Sequence, residues 1–188
     1  MAPLTTSDGK IACTQGSTGV GRATRWEAVE DKAALGGWAL AETAGDATDL
    51  RFPLCISEQA VTRDVDATLR FKPLSGTRAR VAGLLFRAQS ASDYYVVRAD
   101  ALDNSVRFYR MEKGKRSQIA GKETLVESDK WHSLRVIASN ESFEVSLDGK
   151  VLFSARDRSL PQPGAMGVWS QADSVTHYGS LLVGPVMR

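Results

Sequence analysis

The sequence has few residues of the kinds that build reactive centres. Among its 188 residues there are two cysteines, Cys13 and Cys55, and two histidines, His132 and His177, far apart along the chain. The cysteines are too far apart in sequence for a metal-binding pair, and so few cysteines and histidines argue against a zinc centre or a Cys–His nucleophile. No metal and no cofactor is expected. No apolar run approaches the roughly 18 residues of a membrane-spanning helix, so no membrane insertion is expected. The net charge of +2 gives no electrostatic case for a nucleic-acid partner. The opening residues, Met-Ala-Pro-Leu-Thr-Thr-Ser-Asp-Gly-Lys, lack the charged lead and apolar core of a signal peptide. A cleaved leader replaced by a methionine would look the same, so export stays open at this end. Inside a cell the two cysteines read as small buried hydrophobes; in an exported protein they read equally well as one disulfide.

Helix-favouring sequence is nearly absent. Only Trp26 to Leu35 has the composition for it, and Gly36-Gly37 would stop it. Gly16-Ser-Thr-Gly-Val-Gly21-Arg22-Ala23 has the glycine spacing of a phosphate-cradling loop. It places Arg22 and Ala23 where that loop needs a lysine and a hydroxyl, so it reads as flexible linker. Residues 1–24 are accordingly expected to be a mobile arm that becomes ordered near Ile11–Cys13, with residues 25–188 forming one domain.

What the chain does have is alternation. Val65, Ala67, Leu69 and Phe71 interleave with Asp64, Asp66, Thr68, Arg70 and Lys72, the pattern of a half-buried strand. Phe143, Val145 and Leu147 alternate likewise and lead into Asp148-Gly149, a two-residue hairpin signal. From Arg80 to Gly149 the strand-length runs follow one another as an antiparallel meander. Further strands are expected at Trp26–Val29, Trp38–Glu42, Leu50–Ile56, Gly167–Ser170, Val175–Tyr178 and Ser180–Val183, with Pro53 marking an edge or a bulge. About a dozen short strands with no long helix predict an all-β fold of two packed antiparallel sheets.

The series Gly83-Leu-Leu-Phe-Arg87, Tyr94-Tyr-Val-Val-Arg-Ala99, Leu102-Asp-Asn-Ser-Val106, Gly114-Lys-Arg116, Trp131-His-Ser-Leu-Arg-Val136, Leu147-Asp-Gly149 and Gly167-Val-Trp169 resembles bacterial concanavalin A-like, laminin-G-like jelly-roll domains. It is most similar to the group known as 3-keto-disaccharide hydrolase or family 16-like domains. The resemblance runs from about Trp26 to Val183. It implies a two-sheet jelly-roll sandwich, a periplasmic or secreted location, and relatives that bind or cut glycans. Where such domains carry a closing Phe-Asp-Asp, this chain has Tyr178, Gly179 and Ser180. Asp173 alone falls short of the oxygen ligands calcium requires.

Glycoside cleavage usually needs two carboxyl groups about 5–10 Å apart. The Glu-x-Asp-x-x-Glu motif of family 16 glucanases is absent. Glu144 and Asp148 would lie about 13 Å apart along one strand, too far, and Asp64 with Asp66, about 7 Å apart, read as a solvated strand edge. His132 reads as part of a structural strand, and His177 sits on a late strand beside Tyr178. The more suggestive set is aromatic and basic: Arg87, Tyr95, Arg98, Arg107, Tyr109 and Trp169. Glycan sites combine flat aromatic faces with multi-donor groups, and an arginine within an apolar strand needs a reason. The same residues could instead pair with Asp93, Asp100 or Asp103 in a structural network. The expectation is a non-catalytic carbohydrate-binding or interaction module whose concave sheet is lined by these residues, with a glycan or glycoside as partner. The alternative is a glycoside hydrolase acting on 3-keto-glycosides.

Overall fold

Burial alternates most cleanly over Val65–Ser75 and His132–Ser139, and the chain folds into two sheets set face to face. The computed structural model describes residues 2–3, 9–10 and 12–187, without the side chains of 2, 3, 58 and 59. The strands are β1 (Ala2–Pro3), β2 (Thr14–Gly19), β3 (Trp26–Glu30), β4 (Trp38–Glu42), β5 (Arg51–Thr62), β6 (Val65–Ser75), β7 (Val81–Ser90), β8 (Asp93–Asp100), β9 (Ser105–Glu112), β10 (Lys115–Glu123), β11 (His132–Ser139), β12 (Ser142–Leu147), β13 (Lys150–Arg156), β14 (Gly164–Trp169) and β15 (Val175–Gly184). One 3-10 turn covers Leu35–Gly37. One sheet runs β13-β12-β11-β6-β15-β4-β3, with β1 beside β15; the other runs β10-β9-β8-β7-β14-β5-β2. Every pairing is antiparallel. This is the all-β, two-sheet jelly-roll sandwich expected from the pattern.

Between the sheets lie Leu69, Phe71, Leu134, Val136 and Val145 from one side and Leu84, Phe86, Val97, Phe108 and Val168 from the other. Phe86, Tyr95, Phe108 and Phe143 form a ring cluster with centroids 5.0–5.9 Å apart. Such pairs add to the area they bury. Asp148 and Gly149 both take positive φ, as a two-residue hairpin turn requires.

The structure differs from the expectation in several places. Part of the segment read as a mobile arm is ordered: Thr14–Gly19 forms edge strand β2 on β5, and the glycine-rich loop is this strand and the turn after it. Ile11 lies outside the described residues. The single meander is split, since β7 to β10 stay in one sheet and β11 to β13 cross to the other. Strand β10, Lys115–Glu123, was not expected because its burial never alternates cleanly. Pro53 is neither at an edge nor in a bulge, for β5 pairs with both β14 and β2. Its carbonyl accepts from Ser170 just past the end of β14, where the ladder asks no donor of Pro53. The two closing strands are one, β15, with a bulge at Gly179. Cys13 and Cys55 are joined as a disulfide that fastens β5 to the chain entering β2.

Asp173, the acid weighed for calcium, clamps a loop instead. Its two carboxylate oxygens accept from Thr77 N and Oγ1, Arg78 N and Ala79 N at 2.7–3.4 Å. Burial raises its pKa, but these hydrogen bonds outweigh it and hold the carboxyl at about 2 against an ordinary 3.8. A pKa lowered on folding stabilises the native state above about pH 4 and is lost as pH falls from there toward 2. Asp173→Asn is therefore expected to cost about 1–2 kcal/mol at pH 7 and to lose less further stability than wild type between pH 5 and 2.5. Urea titrations at both pH values check this; equal acid sensitivity in the variant would contradict it.

Candidate functional site

The seven-stranded sheet has a second apolar layer on its outer face, made of Phe52, Leu54, Val81, Leu85, Tyr94, Val96, Tyr109, Met111 and Trp169, all buried. Strong curvature explains how an outer face is buried. Arg116 on β10 lies 5.0 Å from the ring of Phe52 on β5, although five strand spacings of about 4.8 Å separate these strands in a flat sheet. Thr18 of edge strand β2 likewise meets the hydroxyl of Tyr94 on β8 at 2.8 Å. Only a sheet curled toward this face brings such side chains together, so the face is concave.

One cross-strand row traverses the hollow: Trp169 on β14 opposite Gly83, Gly83 opposite Arg98, Arg98 opposite Arg107, and Arg107 opposite Gly121. A Cβ on Gly83 would stand 2.8 Å from the Trp169 ring, so glycine there makes room for the indole. Two like charges directly opposite on neighbouring strands are unfavourable. Asp103 sits between them, 3.4 Å from Arg98 and 3.7 Å from Arg107. Asp100 adds a second carboxylate 3.3 Å from Arg98. Gln171 Oε1 accepts from Arg98 at 3.1 Å and from Arg116 at 3.2 Å, while its amide donates to the Asp49 carbonyl. Arg98 and Arg116 both lie over the Tyr109 ring, at 5.6 and 4.5 Å. Burial pushes the Arg116 guanidinium below its usual pKa.

The cluster opens outward beside Arg107. There Ser105, Arg107, Gln118, Gly121, Lys122 and Glu123 line a cavity of about 170 Å³. Arg107 donates to Ser105 Oγ at 3.1 Å and to Gln118 Oε1 at 3.3 Å, and its side chain is one-third exposed. Three guanidiniums face two carboxylates, which leaves an excess of positive charge and of N–H donors at a partly solvated rim. Such a surface offers planar arrays of donors to hydroxyl or carboxylate oxygens.

Of the six residues singled out in the sequence, the structure brings Arg98, Arg107, Tyr109 and Trp169 together. Trp169 is fully enclosed, stacked on Phe52 with centroids 5.2 Å apart, its Nε1–H donating to Tyr94 Oη at 3.0 Å. Burial pushes the Tyr94 hydroxyl up to about 12. Arg87 and Tyr95 lie elsewhere, at the opposite end of the sandwich. Arg87 is at a bulge with φ 50°, which turns its side chain into the interior, where it donates to the carbonyls of Arg63, Asn140 and Leu160. Tyr95 donates to Asp157 and accepts from the Leu160 amide. Two members of the cluster escaped the sequence reading. Arg116 lies on the unexpected strand β10, and Gln171 follows Trp169 in a loop that only folding brings to Arg98.

Three of the acids weighed in the sequence, Asp64, Asp66 and Asp148, are engaged in separate contacts. Asp66 binds Arg135 through both oxygens, and Asp64 accepts from the Asn140 amide. Among the described residues, no group of three or more His, Cys, Asp or Glu could hold a metal ion. His132 is buried between Asp148 and the Glu127 carbonyl, in keeping with a structural role.

Comparison with known proteins places the fold. No protein-family model matches the chain. A levanase of Bacillus subtilis (strain 168) is 29% identical over 111 residues, which cover 57% of this chain and 16% of the levanase. The chain thus matches a small part of that enzyme's length. Among solved structures, the carbohydrate-binding module CBM66 from Bacillus subtilis superposes with a TM-score of 0.69 at 21% identity, covering 86% of this chain and 93% of the module. The exoplasmic/lumenal domain of VIP36, described in a form bound to Ca2+ and Man3GlcNAc, gives a TM-score of 0.62 at 12% identity, covering 88% of this chain and 86% of that domain. At these identities the structural likeness establishes the shared jelly-roll fold. It does not single out the 3-keto-disaccharide hydrolase group.

Proposed function

We propose that the protein is an extracytoplasmic, non-catalytic carbohydrate-binding module that holds a glycan at the Arg98–Arg107–Arg116 rim of the concave sheet. The observation that carries this reading is the pair of arginines set directly opposite each other, a costly arrangement in a sheet position that packing alone would fill with apolar residues. Sugar hydroxyls are acceptors and donors in rings. The partly exposed guanidinium of Arg107 supplies the donors and Asp103 an acceptor, while Arg98 and Tyr109, both buried, hold them from beneath. Trp169, Arg87 and Tyr95 serve as support, since each is enclosed by protein. The names of the proteins similar to this chain, CBM66 and VIP36 in fold and a levanase in part of its sequence, favour a saccharide and make levan the first probe.

The test is isothermal titration of the protein with levan, inulin, β-glucan and mannan oligosaccharides, with product analysis for hydrolysis. Binding to at least one polymer without turnover is expected. Arg107→Ala should weaken it about tenfold or more while leaving the melting temperature within a few degrees, because a hydrogen bond to a charged group is worth about 1.5–3 kcal/mol and Arg107 is partly exposed. Unchanged affinity in Arg107→Ala would remove this rim as the site. Release of sugar would replace the module with an enzyme.

A further inference from the structure

The opposite sheet carries a separate, unexplained aromatic and basic constellation on its outer face. Trp131 precedes β11 and lies against Gly179, where an added Cβ would stand 2.9 Å from its ring. The bulge in β15 at this glycine therefore lets the indole rest on the sheet. Arg70 and Lys72, two residues apart on β6 and so on one face, place their cationic groups over the ring, 5.6 and 5.3 Å from its centroid. Beside it the turn holding Ala33, Ala34, Leu35 and Gly36 lines, with Arg70 and Trp131, an open cavity of about 390 Å³. Leu35 is 69% exposed there, an apolar wall with nothing packed on it. That volume falls within the usual range of small-ligand sites.

The charges around the cavity are unequal. Lys72 is satisfied by Asp31 at 2.6 Å, and His177 Nδ1–H donates to the same carboxylate at 2.7 Å. Burial raises the pKa of Asp31, but the hydrogen bonds from Lys72 and His177 prevail and hold it at about 2. Arg70 is exposed, and its guanidinium makes no hydrogen bond or ion pair among the described residues; the ring of Trp131 is its neighbour. A guanidinium without a carboxylate, beside an aromatic plate and an apolar wall, matches a ligand with one flat apolar face and one carboxylate.

We propose that this pocket is a second saccharide subsite that takes a carboxylate-bearing sugar, a uronate residue of a glycan, its ring laid against Trp131 and its carboxylate held by Arg70. It is independent of the concave rim, since it lies on the other sheet and shares no residue with it. An acidic glycan could engage both faces or this one alone.

The experiment titrates the protein with tetragalacturonate and, as neutral control, cellotetraose, reading tryptophan fluorescence and heat. Saturable binding of the uronate is expected, with little response to the neutral chain. Arg70→Gln should weaken uronate binding about tenfold or more, and Trp131→Phe should weaken it and abolish the fluorescence change. Arg107→Ala should leave it intact. Arg70 is exposed, so its replacement leaves the fold in place even where a Trp131 variant does not. Absence of uronate binding, equal affinity for cellotetraose, or wild-type affinity in Arg70→Gln would each overturn the proposal. Failure of the rim reading would show instead as loss of levan or neutral-glycan binding with the uronate response preserved.

Discussion

Glu42→Ala is expected to cost about 3–5 kcal/mol, because it strands a buried guanidinium. Glu42 and Arg51 are 2.7 Å apart, with side chains 2% and 0% exposed. All five guanidinium N–H groups have partners: Nε donates to the Arg22 carbonyl, Nη1 to Glu42 and Ala172, Nη2 to Glu42 and Ala23. The carboxylate in turn accepts from the Arg25 and Ala44 amides. For a chain of this size each kcal/mol lost is worth about 2–4 °C, so a fall of roughly 6–20 °C in Tm is expected. Glu27→Ala serves as control: Arg25 and Glu27 are paired but half exposed or more, and such a pair is worth less than about 1 kcal/mol. If calorimetry finds the two variants equally mild, the buried pair is not a structural anchor. The effect should reach the proposed rim as well. Arg51 holds the Ala172 carbonyl, and Ala172 is the neighbour of Gln171, which ties Arg98 to Arg116. Reduced glycan affinity in Glu42→Ala, at a temperature where the variant is folded, is the corollary.

Breaking the Cys13–Cys55 bond is expected to cost about 4 kcal/mol. The bond spans 42 residues of sequence, and the loop-closure entropy withheld from the unfolded chain grows with the logarithm of that separation. Reduction, or the double Cys13→Ala, Cys55→Ala change, should lower Tm by roughly 8–16 °C. Thiol titration of the unreduced, unfolded protein should find no free cysteine. An unchanged Tm on reduction would contradict the bond. Structurally the bond holds edge strand β2, whose Thr18 bonds to the Ala91 carbonyl and to Tyr94 Oη, the acceptor for Trp169. Losing it should loosen the concave face from this side before the sandwich core between the sheets.

The core was legible in the sequence wherever one strand face is buried and the other wet. Val65 to Lys72 and Phe143 to Gly149 show it, because a period of two is a local property of the chain. It was not legible in β10, whose Lys115–Glu123 run lies at a sheet edge and buries neither face consistently. Nor was it legible in β2, where glycines and small polar residues gain order from pairing with β5 and from the disulfide. The same limit split the candidate residues. Arg87 and Arg98 look alike in sequence, each an arginine inside an apolar strand. A positive φ at a bulge turns Arg87 inward onto carbonyls, while regular alternation sends Arg98 to the concave face.

Side-chain alternation, a local property of the chain, was enough to make it an all-β sandwich of two sheets, because it decides which face of each strand leaves water. The tertiary structure alone decided which strands share a sheet, that Arg98, Arg107, Arg116 and Gln171 meet, and that Trp131 lies over Gly179. These depend on the curl of one sheet and a bulge in the other, and such long-range geometry arises from the whole packing of the chain and leaves no period in the local sequence.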